Sequence, residues 1–233
     1  MTAGILESSQ NIYDYFSLVE TNKILADENA SLRESLLNES SLVNSTPSIK
    51  RSFSRDSTKM YDLLEARIIN NSVFHLNNFI TVNRGKVQGV EPGMAVLGPD
   101  GVVGIVRNVS NNYAVLYSLL NSNVIISVRL TSTDDIASVK WDGVDYQYAK
   151  LLYLPRHIKV NLGDTIVTSG FGSIFPEDNI IGVVDEINLP DEATFYDINI
   201  KLSTDFGKLK YVSLVKNKRK VEIDSVEAQV NIK

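Results

Sequence analysis

Hydrophobic positions in the first part of the chain follow a helical spacing. Residues 12–43 contain neither glycine nor proline, and apolar residues recur there with a heptad period. The a and d positions of this repeat are Leu18, Asn22, Leu25, Asn29, Leu32 and Leu36. The narrow seam predicts a parallel coiled coil, with a homodimer or a higher assembly held by Leu18, Leu25, Asn29, Leu32 and Leu36. A single amphipathic helix packed on its own domain is the alternative.

From Glu65 onward the pattern changes to that of short strands. β-branched and aromatic runs are separated by turn residues, and nothing between them is long enough for a crossover helix. Antiparallel barrels or sandwiches are therefore predicted. The predicted strands are Ala66–Ile69, Phe79–Val82, Ala95–Leu97, Val102–Val109, Ala114–Tyr117, Val124–Val128, Tyr148–Tyr153, Thr165–Val167, Ile180–Val184, Phe195–Lys201 and Tyr211–Val215.

One β-hairpin pattern occurs twice. Residues Val90–Val106 and Val160–Val184 both contain a V-x-x-G turn, a short apolar strand and a second strand with a central glycine, Gly104 or Gly182. Internal repetition indicates that one small unit has been used twice, here once in each of two barrels.

The second hairpin differs from the first by a long loop, Ser169–Asn179, which carries Phe171, Ile174 and Phe175. A loop that the fold does not require is a candidate functional element. These three side chains either fold back to plug a barrel end or stand out as a partner-binding patch.

The pattern divides the chain into five parts. Residues 1–45 are expected to form the coiled-coil helix, and residues 46–64 a linker or helix end. Residues 65–92 together with 156–215 are expected to form one discontinuous barrel lobe, into which a second lobe, 93–155, is inserted. Residues 216–233 are expected to be a flexible tail. The predicted fold class is mainly β, with a coiled-coil helix before two small antiparallel barrels.

Composition excludes several classes of function. A net charge of -5 and a pI near 5.1 argue against a nucleic-acid partner, which needs a clustered basic face. The absence of cysteine excludes disulfides and thiolate metal sites. No apolar run of about 20 residues is present, so no membrane-spanning helix is predicted within this sequence.

Serine-protease chemistry is the main enzymatic alternative, because paired antiparallel barrels also build chymotrypsin-like proteases. The candidates are Ser169, Asp164, His75 and His157, but no G-D-S-G or G-x-S-x-G context surrounds Ser169. Ser169 and Asp164 have the positions of turn residues, and both histidines are predicted in loops. We therefore predict no catalytic residue.

Metal and phosphate sites are not predicted either. The acidic residues Asp134, Asp135, Asp142 and Asp145 lack the spacing of a calcium-binding loop. The glycines at 170 and 172 are not followed by a helical pattern, which a phosphate loop requires. No cofactor is expected.

A series of short motifs runs along the chain in a fixed order. The helix carries L-x-x-E-N-x-x-L from Leu25, and V-N-R-G from Val82 and D-G-V-V-G-x-V from Asp100 follow it. Tyr153-Leu154-Pro155 then precedes G-D-x-x-V-T-S-G-x-G-x-x-F-P, which begins at Gly163. In this order the set resembles the rod shape-determining protein MreC family over nearly the whole chain, and the last motif is the most specific part.

The resemblance implies a non-enzymatic scaffold of the bacterial cell-elongation machinery that controls rod shape. It implies a class B penicillin-binding transpeptidase, MreD and MreB as partners. It also implies a location on the extracytoplasmic, periplasmic face of the cytoplasmic membrane, with anchoring by an N-terminal transmembrane helix that is missing from this sequence.

A periplasmic adaptor of an efflux or secretion system is the alternative function, since such proteins also join a coiled coil to β-barrels. Their coiled coil is a hairpin between two halves of a lipoyl-like domain. A second heptad run would favour the adaptor, and the sequence contains only one.

Overall fold

The structure is a computed structural model that describes residues 21, 24, 25, 27–38 and 60–229. The described residues before position 39 are helical and belong to helix α1. In residues 60–229 the strands are β1 Tyr61–Asn71, β2 Asn77–Val82, β3 Ala95–Leu97, β4 Val102–Val109, β5 Ala114–Asn121, β6 Ile125–Leu130, β7 Ile136–Lys140, β8 Tyr148–Leu152, β9 Thr165–Thr168, β10 Ile180–Asn188, β11 Asp197–Leu202 and β12 Tyr211–Asn217. A 3₁₀ turn covers Lys86–Gln88, and helix α2 covers Lys220–Gln229.

The strands form two closed antiparallel barrels. Barrel 1 has the order β1-β12-β3-β4-β5-β2, and barrel 2 has the order β10-β11-β8-β7-β6-β9. The chain enters barrel 2 after β5 and returns to barrel 1 at β12, so barrel 2 is inserted in barrel 1. The predicted fold class, including the insertion, is therefore confirmed.

Alternation of side chains along the strands builds each core. Burial in β2 and β6 alternates residue by residue, which is the period of a strand with one face inside a barrel. All three residues of β3 are buried, and helix α1 contacts the turn that follows this strand. Trp141 is among the largest fully buried side chains, and its indole N–H donates to the carbonyl oxygen of Asp145 at 2.8 Å.

The predicted lobe boundaries, 65–92 with 156–215 and 93–155, are wrong. Strand β3 pairs with β12, and β4 pairs with β5, which places the residues from Ala95 to Asn121 in barrel 1. Barrel 2 extends from Ile125 to Leu202. Local patterns indicate where strands lie, whereas membership of a barrel depends on pairing between strands far apart in sequence.

Three local expectations also differ from the structure. The strand β7, Ile136–Lys140, was not predicted, because a short run containing serine and lysine gives a weak apolar signal. Strand β1 begins at Tyr61, inside the expected linker 46–64, while residues 46–59 lie outside the described part. Residues Lys220–Gln229 form helix α2 within the expected flexible tail, 216–233.

The repeated hairpin occurs once in each barrel, as β3–β4 and as β9–β10. The central glycine of each copy lies against a carbonyl oxygen of the neighbouring strand. A Cβ atom at Gly104 would clash with the oxygen of Tyr117, and one at Gly182 with the oxygen of Lys201. Glycine permits this close approach of two backbones, so the repeat preserves a packing requirement.

We expect Gly104→Ala and Gly182→Ala each to lower the free energy of unfolding by about 2 kcal/mol or more, since the new methyl group must displace a strand backbone. The control is Gly207→Ala, because a Cβ atom there has its nearest contact at 3.4 Å. That change should stay within about 0.5 kcal/mol. Urea denaturation measures all three, and equal effects at the three positions would contradict the packing requirement.

Candidate functional site

Helix α1 is attached to barrel 1 by one face. Ala30 and Asn38 are buried, and Leu37 packs against the core. The Oδ1 atom of Asn38 accepts from the backbone N–H groups of Met60 and Tyr61 at 2.8 and 3.1 Å. Its Nδ2 atom donates to the carbonyl oxygen of Tyr61 at 3.2 Å. The asparagine thus satisfies backbone groups at the start of β1 and fixes the helix there.

Arg33 makes the second attachment of α1. Its guanidinium donates from Nη1 to the carbonyl oxygen of Gly98 at 3.1 Å and from Nη2 to that of Pro99 at 2.9 Å. Both acceptors lie in the β3–β4 turn. The helix is therefore bound to two separated parts of barrel 1, which determines its direction.

The predicted coiled-coil seam lies on the other side of α1. Leu25, Leu32 and Leu36 are 48%, 64% and 65% exposed. By helical periodicity Leu25 and Leu32 lie nearly opposite Ala30, whereas Leu36 is nearer to the docked residues Arg33 and Leu37. The side chain of Asn29 donates to the carbonyl oxygen of Leu25 at 2.8 Å. Leu18 lies outside the described residues, and the three described leucines of the seam form an apolar stripe that remains about half exposed or more.

The three apolar side chains of the long loop Ser169–Asn179 differ in burial: some pack on the core and one is exposed to solvent. Phe175 is 7% exposed and belongs to the core, and Ile174 is half-buried against it. Phe171 is 65% exposed. Phe175 therefore folds back into the core, as the first of the two expectations for this loop has it. Because it is buried, it is not available for direct contact with a partner. Phe171 remains a candidate for contact with a partner, because its side chain is on the surface.

The same loop joins the two barrels. The side chain of Asn217 on β12 donates to the carbonyl oxygen of Ser173 at 3.1 Å. Gly101, in the turn of the first hairpin, lies against the backbone of Ile180 at the end of the loop. The hydroxyl of Thr204 donates to the buried carbonyl oxygen of Val102 at 3.1 Å. The junction thus brings both copies of the repeated hairpin together.

A groove of about 630 Å³ lies where α1 meets this junction. Its apolar walls come from α1, from barrel 1 and from barrel 2, and acidic side chains stand among them. The lining includes Leu36, Leu37, Leu97, Pro99, Asp178 and Ile180.

Arg129 forms ion pairs with two aspartates of barrel 2, one of which lines the groove. Its guanidinium pairs with Asp134 at 2.9 Å and with Asp178. Both aspartates have positive φ, 63° and 66°, a conformation that non-glycine residues adopt at a cost. The arginine therefore stabilises two turns, of which the second leads directly into the groove.

The candidate catalytic residues are not brought together. Ser169 donates from Oγ to the hydroxyl of Ser127 at 2.8 Å, and His75 and His157 are exposed in loops. The Oδ2 atom of Asp164 accepts from the backbone N–H of Asn161 at 2.9 Å, as a turn residue does. In the described ranges, no group of three or more His, Cys, Asp or Glu side chains is arranged to hold a metal ion.

Sequence reasoning missed Arg33 and Asn38. Both lie among the polar positions of the heptad pattern, where charge and amide groups are expected to face water. Their partners are backbone groups of distant residues, and no pattern in the sequence marks those. The one sequence signal for this docked face is that Ala30 and Leu37 are apolar although they lie outside the a and d positions of the heptad.

Glu65 on β1 lies beneath α1, close to Arg33. Burial raises the pKa of Glu65, and this effect exceeds the opposing hydrogen bond from Ser213 and the positive charges of Arg33 and Arg84, while Asp27 adds to the rise. The carboxylate is thus held in a partly desolvated position where its charge costs stability.

Comparison with known proteins identifies the family. A model described as rod shape-determining protein MreC, barrel core, matches residues 68–216. The chain belongs to the MreC family. The cell shape-determining protein MreC of Listeria monocytogenes is 28% identical over 165 residues, which cover 69% of this chain and 56% of that protein. The Escherichia coli MreC is 24% identical over 199 residues, which cover 81% and 53%.

Solved MreC structures share the fold. A Listeria monocytogenes MreC structure has a TM-score of 0.60 at 26% identity, covering 91% of this chain and 94% of that one. The Pseudomonas aeruginosa MreC has a TM-score of 0.61 at 23% identity, covering 66% and 98%. This chain spans a little more than half the length of its curated MreC relatives. Among the described residues, the helices are too short or too polar to cross a membrane.

We expect Glu65→Gln to change how stability depends on pH. Because the folded-state pKa is raised, the contribution of Glu65 is most favourable below its unfolded pKa of about 4.3 and is lost as pH rises through the folded pKa. The free energy of unfolding of the variant, relative to the parent, should therefore increase between about pH 4 and pH 7. Glu192→Gln, at an exposed carboxylate, is the control. Parallel pH profiles for parent and Glu65→Gln would contradict the assignment.

Proposed function

We propose that this chain is the extracytoplasmic part of a non-enzymatic scaffold that controls rod shape within the bacterial cell-elongation machinery. The scaffold associates with itself through α1 and binds a class B penicillin-binding transpeptidase, and in the native complex it meets MreD and MreB. The observation that carries the proposal is the MreC barrel core over residues 68–216. An N-terminal transmembrane helix would hold the chain at the periplasmic face of the membrane.

The exposed seam of α1 supports self-association. Three leucines on one stripe remain largely exposed while another face of the same helix is docked on barrel 1. Pairing with a second α1 removes this stripe from water without disturbing the docked face. Membrane anchoring would raise the effective concentration of the helices and strengthen the pairing.

A solved complex supports the class of partner. Penicillin-Binding Protein (PBP2) and MreC from Helicobacter pylori have been solved together, and that structure matches this chain with a TM-score of 0.52 at 17% identity. The likeness is one of fold. Phe171 is our candidate anchor for such a partner, because an exposed aromatic side chain on a loop held at both ends can enter a pocket at low entropic cost.

A non-enzymatic role agrees with the site geometry. The hydroxyl of Ser169 is hydrogen-bonded to another serine, and the carboxylate of Asp164 is used in a turn. Neither group is paired with a histidine base, as hydrolytic catalysis through a triad would need.

We expect Leu25→Glu with Leu32→Glu to convert the protein to a monomer with intact barrels, because four charges would face one another across each paired seam. Sedimentation velocity measures the association, and circular dichroism the fold. The control is Ser31→Glu with Ser35→Glu, which adds the same charge at exposed positions outside the seam. An unchanged oligomer in the leucine variant would place the contact elsewhere.

We expect Phe175→Ala to lower the free energy of unfolding by about 3–5 kcal/mol, as loss of a buried aromatic ring does. Phe171→Ala should change it by less than about 0.5 kcal/mol. The same Phe171 variant should weaken binding to the extracytoplasmic domain of the transpeptidase about thirtyfold, which corresponds to about 2 kcal/mol.

Calorimetry of the purified proteins measures this binding. Leu162→Ala is the matched control, because Leu162 is equally exposed at 67% and lies in another loop of barrel 2. Equal affinities of the Phe171 variant and the parent would remove Phe171 from the interface.

A further inference from the structure

The outer wall of barrel 1 that is formed by β2, β5 and β4 carries no acidic side chain. The chain has 28 aspartates and glutamates, yet none occurs in residues 66–90 or 101–133, which include these three strands and the turn between β4 and β5. In the ring of barrel 1, β5 lies opposite β12. Helix α1 is bound to β1 and to the β3–β4 turn, on either side of β12. This surface, the cationic wall, therefore lies on the side of barrel 1 away from α1.

Three side chains are stacked in a row across the cationic wall. Phe79 on β2 is in register with Tyr117 on β5, and their ring centroids are 5.5 Å apart. The guanidinium of Arg107 on β4 lies over the ring of Tyr117, at 5.5 Å from its centroid. Within the described ranges, Arg107 makes no hydrogen bond or ion pair through its N–H groups. The stack therefore orients a guanidinium whose donors are free to bind an anion.

Lys86 is the second unpaired cation of the cationic wall. It is exposed on the 3₁₀ turn, and its backbone N–H donates to the carbonyl oxygen of Ser110 at 2.9 Å, which holds the turn beside the end of β4. No carboxylate among the described residues pairs with the Lys86 ammonium group. The neighbouring Arg84 is not counted, because its charge already acts on Glu65. The wall thus offers two cations that lack an anionic partner.

Uncharged hydrogen-bonding groups stand beside the two cations. The side-chain amides of Asn108, Asn111 and Asn112 are exposed, and none of them is hydrogen-bonded to another residue that the structure describes. Tyr113, in the same turn, is 52% exposed, and its backbone N–H donates to Oγ of Ser110 at 3.1 Å. An amide can both donate to and accept from hydroxyl and acetamido groups. The electron-rich face of an exposed aromatic ring packs favourably on the C–H groups of a sugar ring.

Charge density and shape select the class of ligand. Anionic bilayers are recognised by clusters of about four to eight Lys and Arg residues, and nucleic acids by an extended basic face, whereas this wall has two unpaired cations. Peptides are recognised at free strand edges, in helix grooves or in pockets, and a closed barrel has no free strand edge. A polysaccharide with widely spaced carboxylates requires none of these features, because it can lie across an open wall.

We propose that the cationic wall binds a polysaccharide whose sugars carry widely spaced carboxylates. Arg107 and Lys86 bind the carboxylates, Arg107 through parallel N–H donors of its guanidinium. The asparagine amides bind hydroxyl and acetamido groups, and the ring of Tyr113 packs on a sugar face. A wall without acidic side chains does not repel such a ligand. Because the wall lies away from α1, this binding depends neither on pairing of the seam nor on the transpeptidase.

Calorimetry of the whole chain with oligosaccharides of hyaluronan tests the proposal, because every second sugar of hyaluronan carries a carboxylate and the others carry acetamido groups. Arg107→Gln with Lys86→Gln should weaken this binding at least about tenfold, since each carboxylate loses a charge-assisted hydrogen bond. The matched control is Lys159→Gln with Lys201→Gln, which makes the same change in net charge at exposed positions of barrel 2. The control should bind within about twofold of the parent.

Comparison ligands separate the sugar from the charge. The same oligosaccharide with its carboxylates reduced to alcohols should bind at least about tenfold more weakly, and so should polyglutamate at an equal concentration of carboxylate. Tyr113→Ala should weaken the binding of hyaluronan, whereas Tyr113→Phe should retain it, because the ring face makes the contact. The thermal midpoints of all variants should equal that of the parent, since every substituted side chain is exposed.

Several results would overturn the proposal. One is the absence of binding of the parent to hyaluronan, and another is equal affinity of the wall variant and the barrel 2 control. Equal affinity of the parent for polyglutamate would assign the wall to an acidic protein segment instead. Binding of phosphatidylglycerol vesicles that Arg107→Gln with Lys86→Gln abolishes, without binding of hyaluronan, would assign it to a lipid surface.

Discussion

Closure of both sheets is the constraint on which the rest of this structure depends. In a closed barrel every strand pairs with two neighbours, so neither barrel offers a free strand edge among the described residues. Partners must then be recognised through side chains on loops, on outer walls and on helix α1. The seam, Phe171 and the junction surfaces all occupy such places.

Local structure could be predicted from the sequence because its signals are local. The heptad period of α1, the alternation in β2 and β6 and the repeated hairpin each depend on neighbouring residues. The pattern of strands also indicated that one barrel is inserted in the other, although it gave the wrong boundaries. The central glycines, Gly104 and Gly182, could also be recognised from the repeat. The structure shows why glycine is needed there: a carbonyl oxygen of the neighbouring strand lies where a Cβ atom would be.

Long-range pairing could not be predicted in the same way. The strand β3 is followed at once by β4, yet its other neighbour is β12, more than a hundred residues later. The candidate site shows the same limit. Phe171 and Phe175 belong to one motif, and only packing distinguishes the exposed ring from the buried one. Asn38 and Arg33 act on backbone groups, which every residue possesses and no pattern reveals.

The double crossing between the barrels has a mechanical consequence. The chain passes from barrel 1 to barrel 2 between β5 and β6 and returns between β11 and β12, so two covalent connections span the junction on opposite sides of the barrels. A single connection would allow one barrel to rotate relative to the other, whereas two connections resist that rotation. Because the described part of α1 is bound to β1 and to the β3–β4 turn, a torque on that part of the helix would be transmitted through barrel 1 to barrel 2.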